Sequence, residues 1–277
     1  MSTDEIIIQA LAEDIGGGDH TSIATIPPDA QGQARLYIKE TGVLCGVDIA
    51  VRVFHHVDPL LEPTILISDG TPVNQGDIAF SVSGKIRSIL QSERLALNFM
   101  QRLSGIATAT NRVVKKLEGF HARLLDTRKT TPLLRELEKY AVRTGGGLNH
   151  RMGLFDMVMI KDNHVDYSGG IAKAIDRARE YLNLSGKNLK IEIEVRNFDE
   201  LQQVLNHGYI DRIMLDNFVP AALKEAVGII DGRYETEASG GITEDNVQDF
   251  AATGVDFISM GALTHQIRSL DMSLKAE

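Results

Sequence analysis

Arg128, Lys129, Arg135, Lys139, Arg143, Arg151 and Lys161 fall between Asp126 and His164, with His150 and His164 among them. Elsewhere the chain carries more acid than base. Its formal net charge is −9, from 38 Asp and Glu against 29 Lys and Arg. A local excess of cations in an acidic chain suits a small anion; nucleic acid and anionic membrane surfaces, which need an extended basic face, are excluded as partners. Arginine grips a carboxylate through two parallel hydrogen bonds, which lysine cannot reproduce, so arginines and lysines together suit a multiply charged substrate. Arg135 and Lys139 lie one helical turn apart among Glu136 and Glu138, the pattern of an exposed, salt-bridged helix face. Of the rest, Arg128, Lys129, His150, Arg151 and Lys161 adjoin strand ends or the glycine-rich stretch 144–148, positions suited to binding groups.

Two further sets of residues have chemical potential. Ser239-Gly240-Gly241 precedes Thr243, a good N-cap, with Glu244 and Asp245 opening a predicted helix; free amides at a helix start attract phosphate. Gly261 ends the next strand and completes a candidate phosphate cradle. Glu194 and Asp216 close the strings EIEV and MLDNF. Carboxylates there can bind ribose hydroxyls, hold Mg²⁺ directly or through water, or stabilise a cationic transition state; they can equally pair with Lys161 or Arg128. No HExxH and no His/Cys cluster occurs, which argues against a dedicated zinc site.

The elements that must position these groups follow from hydrophobic spacing. Six apolar runs end in polar or glycine-containing stretches: 122–130, 156–164, 190–197, 211–218, 234–242 and 256–264. Helix-like segments separate most of them, so the repeated unit is strand then helix, and the strands pair in parallel. A one-way series of such units predicts an α/β barrel whose strand ends carry function at one mouth; six strands are fewer than the usual eight, so the barrel is expected to be incomplete. Residues 1–109 read instead as a separate α/β domain, with a helix near Glu5–Ala12 and short alternating strands at Ala34–Ile38 and Ile78–Val82. Leu95, Phe99, Leu103 and Ile106 recur at helical spacing and carry the chain into the catalytic domain, 110–277. The length of 277 residues accommodates both domains. Cys45 is the only cysteine, so no intramolecular disulfide can form, as in a reducing cytoplasmic setting, and no stretch approaches the roughly 20 apolar residues of a membrane span. The first residues carry acids where a signal peptide has bases.

LLDTRKTTP (124–132), EKYAVRTGGGLNHRMGLFDMVMIKDNHV (138–165), EASGGI and GVDFISMGALTH closely resemble nicotinate-nucleotide diphosphorylase (carboxylating), also called quinolinate phosphoribosyltransferase. The resemblance extends to ALAEDIGGGDHTS (10–22) and ERLALNFMQRLSGIAT (93–108). It implies an N-terminal α/β sandwich domain and an open α/β barrel of the type II phosphoribosyltransferase kind, in homodimers or larger assemblies with shared active sites. The last residues of the chain can pack back on the N-terminal domain. The implied reaction converts quinolinate and phosphoribosyl diphosphate to nicotinate mononucleotide, diphosphate and CO₂, with Mg²⁺, in de novo NAD biosynthesis. By motif, Arg128, His150, Arg151 and Lys161 are expected around quinolinate's carboxylates, with Arg94 reaching in from a partner subunit. Lys129, Lys161, Glu194 and Asp216 are expected in catalysis, Glu194 and Asp216 also on the metal side, and Ser239, Gly240, Gly241 and Gly261 at phosphate. The chain departs from the family pattern at Leu133-Leu134, where proline-glycine-leucine is usual, at Thr144, where cysteine is frequent, and at His20; none of these removes a charged site residue.

Overall fold

Period-two burial makes the strands of the first part of the chain, and a change to helical spacing ends it. The computed structural model describes residues 1–277. Its residues form two compact units. The first comprises Met1–Asn111, Thr130–Gly146 and Leu263–Glu277; the second comprises Arg112–Lys129 and Gly147–Ala262.

The first unit begins with helix α1 (Thr3–Ile15), started by a capping box in which the Glu5 N–H donates to Ser2 Oγ and the Ser2 N–H donates to the Glu5 carboxylate. Helix α2 (His20–Thr25), N-capped by Asp19, leads into β1 (Gln31–Ile38), where Ala34, Leu36 and Ile38 are buried at every second position. Strand β2 (Gly42–Val43) precedes α3 (Val47–Val57) and β3 (Glu62–Ile65), and pairs with β4 (Pro72–Val73). Strand β5 (Ile78–Lys85) lies antiparallel between β1 and β3. Helix α3 turns Val47, Ala50, Val53 and Phe54 inward, and Phe54 meets Phe80 of β5 edge to face at 5.7 Å. Helix α4 (Ile86–Lys116) buries Leu95, Phe99, Leu103 and Ile106, the residues whose spacing predicts it, and the boundary between the units falls within it.

In the second unit, β6 (Arg123–Leu125), β7 (Val158–Ile160), β8 (Ile191–Val195), β9 (Arg212–Asp216), β10 (Glu235–Ser239) and β11 (Phe257–Ser259) form one parallel sheet in the order β6-β11-β10-β9-β8-β7. These are the six strands that the apolar runs predict. Between residues 127 and 156 there is only a single parallel bridge, Leu125 to Leu148. The outermost strands β6 and β7 do not pair, so the barrel is open. Helices α6 (Asp162–Ser168), α7 (Ile171–Ser185), α8 (Phe198–His207), α9 (Pro220–Ile230) and α10 (Val247–Ala251) punctuate the strands from β7 onward. After the one-turn helix α11 (Ala262–His265), strand β12 (Met272–Ala276) pairs antiparallel with β1 and gives the first unit's sheet the order β12-β1-β5-β3. No helix is long and apolar enough to cross a membrane.

Two local expectations are corrected. Helix α5 (Arg135–Thr144) does not present an exposed charged face: Glu138 and Lys139 are fully buried in the first unit. The Glu138 carboxylate accepts from Arg102 Nε at 2.9 Å and from the Thr131 N–H at 3.1 Å, so burial is met by an ion pair. Arg135, half-buried, donates to Thr130 Oγ1. The second correction concerns Thr243. Its N–H donates to Asn246 Oδ1 at 2.7 Å, and α10 starts only at Val247, so Thr243 caps no helix.

Candidate active site

All six parallel strands end on the same side, so the residues that follow them share one mouth. Arg128 and Lys129 follow β6, Lys161 follows β7, Glu194 is the penultimate residue of β8, Asp216 and Ser239 end β9 and β10, and Gly261 follows β11. His150 and Arg151 lie in the loop between β6 and β7 of the same unit, whereas Arg94 belongs to the first unit. That arginine is exposed on α4 and without a hydrogen bond or ion pair in its own chain.

The loop between β6 and β7 is tied to the end of β6. Asp126 N–H donates to the Leu148 carbonyl, while the Asp126 carboxylate accepts the His150 N–H at 2.8 Å and Asn149 Nδ2 at 2.5 Å. Asp126 is fully buried, and this clamp fixes the backbone just ahead of Arg151. Arg151 itself is only 9% exposed, yet its guanidinium makes no hydrogen bond or ion pair within the chain. Burial and the neighbouring Arg128 pull its pKa down. Glu192 and Asp156 oppose that pull, and a partly desolvated cation beside a second cation is a ready site for an anion.

Across the mouth, Lys161 Nζ donates to Glu194 Oε2 at 2.8 Å. Burial, and then the adjacent charge of Glu194, raises the Asp216 carboxyl above the usual range. Asn217, at φ 56°, donates from Nδ2 to Asp216 Oδ2 and so orients it. The Ser-Gly-Gly turn packs against this pair. A Cβ on Gly240 would lie 2.2 Å from Asn217 Oδ1, and the residue adopts φ +95°, so glycine is required on both counts. Gly241, at φ +64°, faces open space.

Beneath the mouth, the inward faces of the strands carry charge where a parallel barrel ordinarily packs aliphatic side chains. Pairing places Glu192 beside Arg212 and Arg212 beside Glu235, while Glu194, Met214 and Glu237 share the next level. Arg212 donates to Glu237 at 3.1 Å and to Glu235 at 3.0 Å, and stacks on Phe257 at 4.1 Å. His150 Nε2 lies 3.0 Å from Glu192 and 3.3 Å from Glu237. Burial works against a charge on His150, while the two carboxylates favour a proton on the Nε2 side. Nδ1 accepts the Arg151 N–H at 2.7 Å, so the retained proton belongs on the Nε2 side, among the carboxylates. Burial and the charge of Glu237 push Glu192 up to about 6. His150, Glu192 and Glu237 offer donor atoms within 4.8 Å of one another, a set that could hold a cation. The Arg212 guanidinium already supplies positive charge there. Asp126, Glu192, Arg212, Asn217 and Glu237 are the members of this site that motif reasoning passes over. The signal for Glu192 and Glu237 is a charge at alternate positions inside a short strand.

Comparison with known proteins is consistent along the chain. Residues 19–104 match the model of the quinolinate phosphoribosyl transferase N-terminal domain, and residues 106–275 that of its C-terminal domain. The chain is 45% identical to quinolinate phosphoribosyltransferase [decarboxylating] 1b of Nicotiana tabacum, covering 98% of this chain and 81% of that one. It is 40% identical to the probable nicotinate-nucleotide pyrophosphorylase [carboxylating] of Bacillus subtilis, covering 95% and 89%. The solved nicotinate-nucleotide pyrophosphorylase of Francisella tularensis superposes with a TM-score of 0.94 at 42% identity, over 99% of this chain and 96% of that one.

Proposed function

The chain belongs to the quinolinate phosphoribosyltransferase family, and from that membership we propose how its residues divide the work of the reaction. The enzyme joins quinolinate to phosphoribosyl diphosphate, releases diphosphate and CO₂, and yields nicotinate mononucleotide for NAD biosynthesis. The observation that carries the assignment of roles is the pairing of two cations at the mouth, the buried Arg151 beside Arg128. Together they receive the carboxylates of quinolinate, with Lys161 at the edge of the same mouth.

Held there, the pyridine nitrogen attacks the ribosyl carbon as the bond to diphosphate breaks, and positive charge develops on the sugar. Glu194 and Asp216, side by side at the ends of β8 and β9, stabilise that charge. The Gly240-Gly241 turn and Gly261 offer the phosphate-binding edge, with Ser239 beside them. The alkylated ring is cationic. Loss of the adjacent carboxylate as CO₂ leaves an electron pair that the ring nitrogen stabilises, and a proton from Lys129, Lys161 or water completes the product. The neighbouring carboxylates of Glu194 and Asp216, the latter raised by burial and then by the charge of Glu194, fit a divalent cation; Mg²⁺ held there, directly or through water, would neutralise the departing diphosphate. Arg94 supports a homodimer or larger assembly, because it is exposed and unpaired in its own chain and free to enter a neighbouring subunit's mouth. The single, buried Cys45, its thiol pushed up to about 12 mainly by burial, supports a cytoplasmic setting.

The assay is direct. Purified protein with quinolinate, phosphoribosyl diphosphate and Mg²⁺ should release nicotinate mononucleotide and CO₂ in equal amounts. Turnover of nicotinic acid in place of quinolinate would overturn the assignment.

A further inference from the structure

The open edge of the barrel runs beside Lys161. Strand β7 is outermost in its sheet, with β8 on one side and no strand on the other. The Val158 N–H donates across that pair to the Lys190 carbonyl at 3.0 Å. Successive amides along a strand point to opposite sides, so the amides of Val158 and Ile160 face β8 and those of Met159 and Lys161 face the open edge. A closed barrel would meet the Lys161 amide with a carbonyl of a further strand. Here His164 meets it, Nδ1 accepting the Lys161 N–H at 2.9 Å. His164 is the third residue of α6 and reaches back over the first turn, as a Glu or Gln does in a capping box.

That bond defines the part His164 plays. A ring nitrogen that accepts a main-chain N–H carries no proton, so His164 offers an acceptor here and not the positive charge that its place in the basic segment suggests. His164 is exposed and fills no core. What it secures is Lys161. The Lys161 carbonyl accepts the Val165 N–H at 3.0 Å, so with the amide held as well, both main-chain groups are engaged. At the far end of the side chain, Nζ donates to Glu194 Oε2 at 2.8 Å, although the side chain is 45% exposed. A long, half-exposed side chain keeps its tip in place only when its root is fixed too.

We propose that His164 is a positioning residue for Lys161: it stands in for the strand missing at the barrel's open edge, fixes the Lys161 main chain, and so delivers Nζ to Glu194 and to a carboxylate of quinolinate. The inference rests on the reading of Lys161 as a quinolinate-binding residue. It gives a function to a histidine of the basic segment that the division of roles among the mouth residues leaves unused.

Calorimetry of quinolinate binding to the purified enzyme tests this with His164→Ala, His164→Asn, His164→Gln, Lys161→Ala and the double variant His164→Ala/Lys161→Ala, each checked by thermal melting. Asparagine keeps an acceptor at the δ position, and glutamine is a usual residue for this bond. His164→Ala should fold, because the side chain it removes is exposed. A binding group displaced by up to about an ångström loses roughly ten- to a hundredfold in function, so this variant should bind quinolinate on the order of tenfold more weakly than the parent. The better of His164→Asn and His164→Gln should bind within about threefold of the parent, since either can accept the amide. The double variant should match Lys161→Ala within about twofold, because the histidine acts only through the lysine. Native affinity in a His164→Ala whose Lys161→Ala counterpart is weakened would overturn the proposal. So would failure of both polar variants to restore binding, or a double variant weaker than Lys161→Ala, which would mean that His164 meets the substrate by a contact of its own. A His164→Ala that does not fold would equally sink it, leaving the histidine a stabilising cap. Native affinity in Lys161→Ala would instead remove the reading of that lysine on which the proposal rests.

Discussion

Replacing Gly240 with alanine isolates the contribution of one close contact to the phosphate edge of the site. The new Cβ would stand 2.2 Å from Asn217 Oδ1, 2.7 Å from its Cγ and 2.9 Å from its backbone N, far inside van der Waals contact. The residue must also keep φ +95°, in a region that costs a non-glycine residue about 1–2 kcal/mol. Overpacking of this kind adds about 1–3 kcal/mol, for a sum of about 2–5 kcal/mol. Gly241 is the internal control. It has φ +64° but no atom within 4 Å of an added Cβ, so Gly241→Ala should show the backbone cost alone, about 1–2 kcal/mol. The easiest relief in Gly240→Ala is to expel the Asn217 side chain, which then releases Asp216 from its 2.5 Å hydrogen bond. If about 3 kcal/mol of the strain falls on the transition state, kcat/KM for phosphoribosyl diphosphate drops on the order of a hundredfold. Steady-state kinetics on both variants, paired with thermal melts, give the comparison. Gly240→Ala should be several-fold worse than Gly241→Ala towards phosphoribosyl diphosphate while quinolinate affinity is nearly kept. Equal kinetics for the two variants would refute the contact with Asn217 as the source of the effect.

Further outcomes are expected elsewhere in the molecule. Arg94→Ala and Lys161→Ala, each inactive, should regain partial activity when mixed and allowed to exchange subunits, since one mouth in a mixed assembly then holds both native residues; mixtures that stay inactive argue against sharing. Asp256 offers a pH test. Burial pushes its carboxyl up, but hydrogen bonds from the Thr236 hydroxyl, His121 and the Thr236 amide outweigh that and hold its pKa below the ordinary value. A carboxylate with a depressed folded-state pKa stabilises the protein above its unfolded pKa, and that stability is lost as pH falls through the folded value. Asp256→Asn should therefore melt below the parent at neutral pH, with the gap closing in acid below about pH 4. A gap as wide at pH 3 as at neutral pH would contradict this account.

The barrel was legible because each of its six strands is a short apolar run that ends where the chain turns polar, a pattern that survives without tertiary information. The mouth residues were legible for the same reason, since Arg128, Lys161, Asp216 and Ser239 sit at those ends. Burial of charge was not. Glu138 and Lys139 have the spacing of a solvated helix face, and only the approach of Arg102 turns that face inward. Glu192 alternates with apolar neighbours, and Glu237 follows Thr236, as they would on a strand wet on one side, yet here both are buried. Thr243 followed by Glu244 and Asp245 looks like a helix start, but Asn246 takes its amide and the helix begins at Val247. Asp126 has no local signal at all, because its partners lie more than twenty residues away.

Strand β12 has a consequence for how the protein comes into being. It pairs with β1 from Ala34 opposite Ala276 to Ile38 opposite Met272, so one of the earliest strands synthesised waits for one of the last. Until then β1 presents an open edge, with N–H and C=O groups able to recruit a strand from any neighbouring chain. The second unit can assemble on the nascent chain in the meantime, because its strands are contiguous between Arg112 and Ala262 apart from one excursion. Shortening the chain by its final strand would make that passing vulnerability permanent, and its mark would be self-association of a protein whose catalytic barrel is otherwise intact.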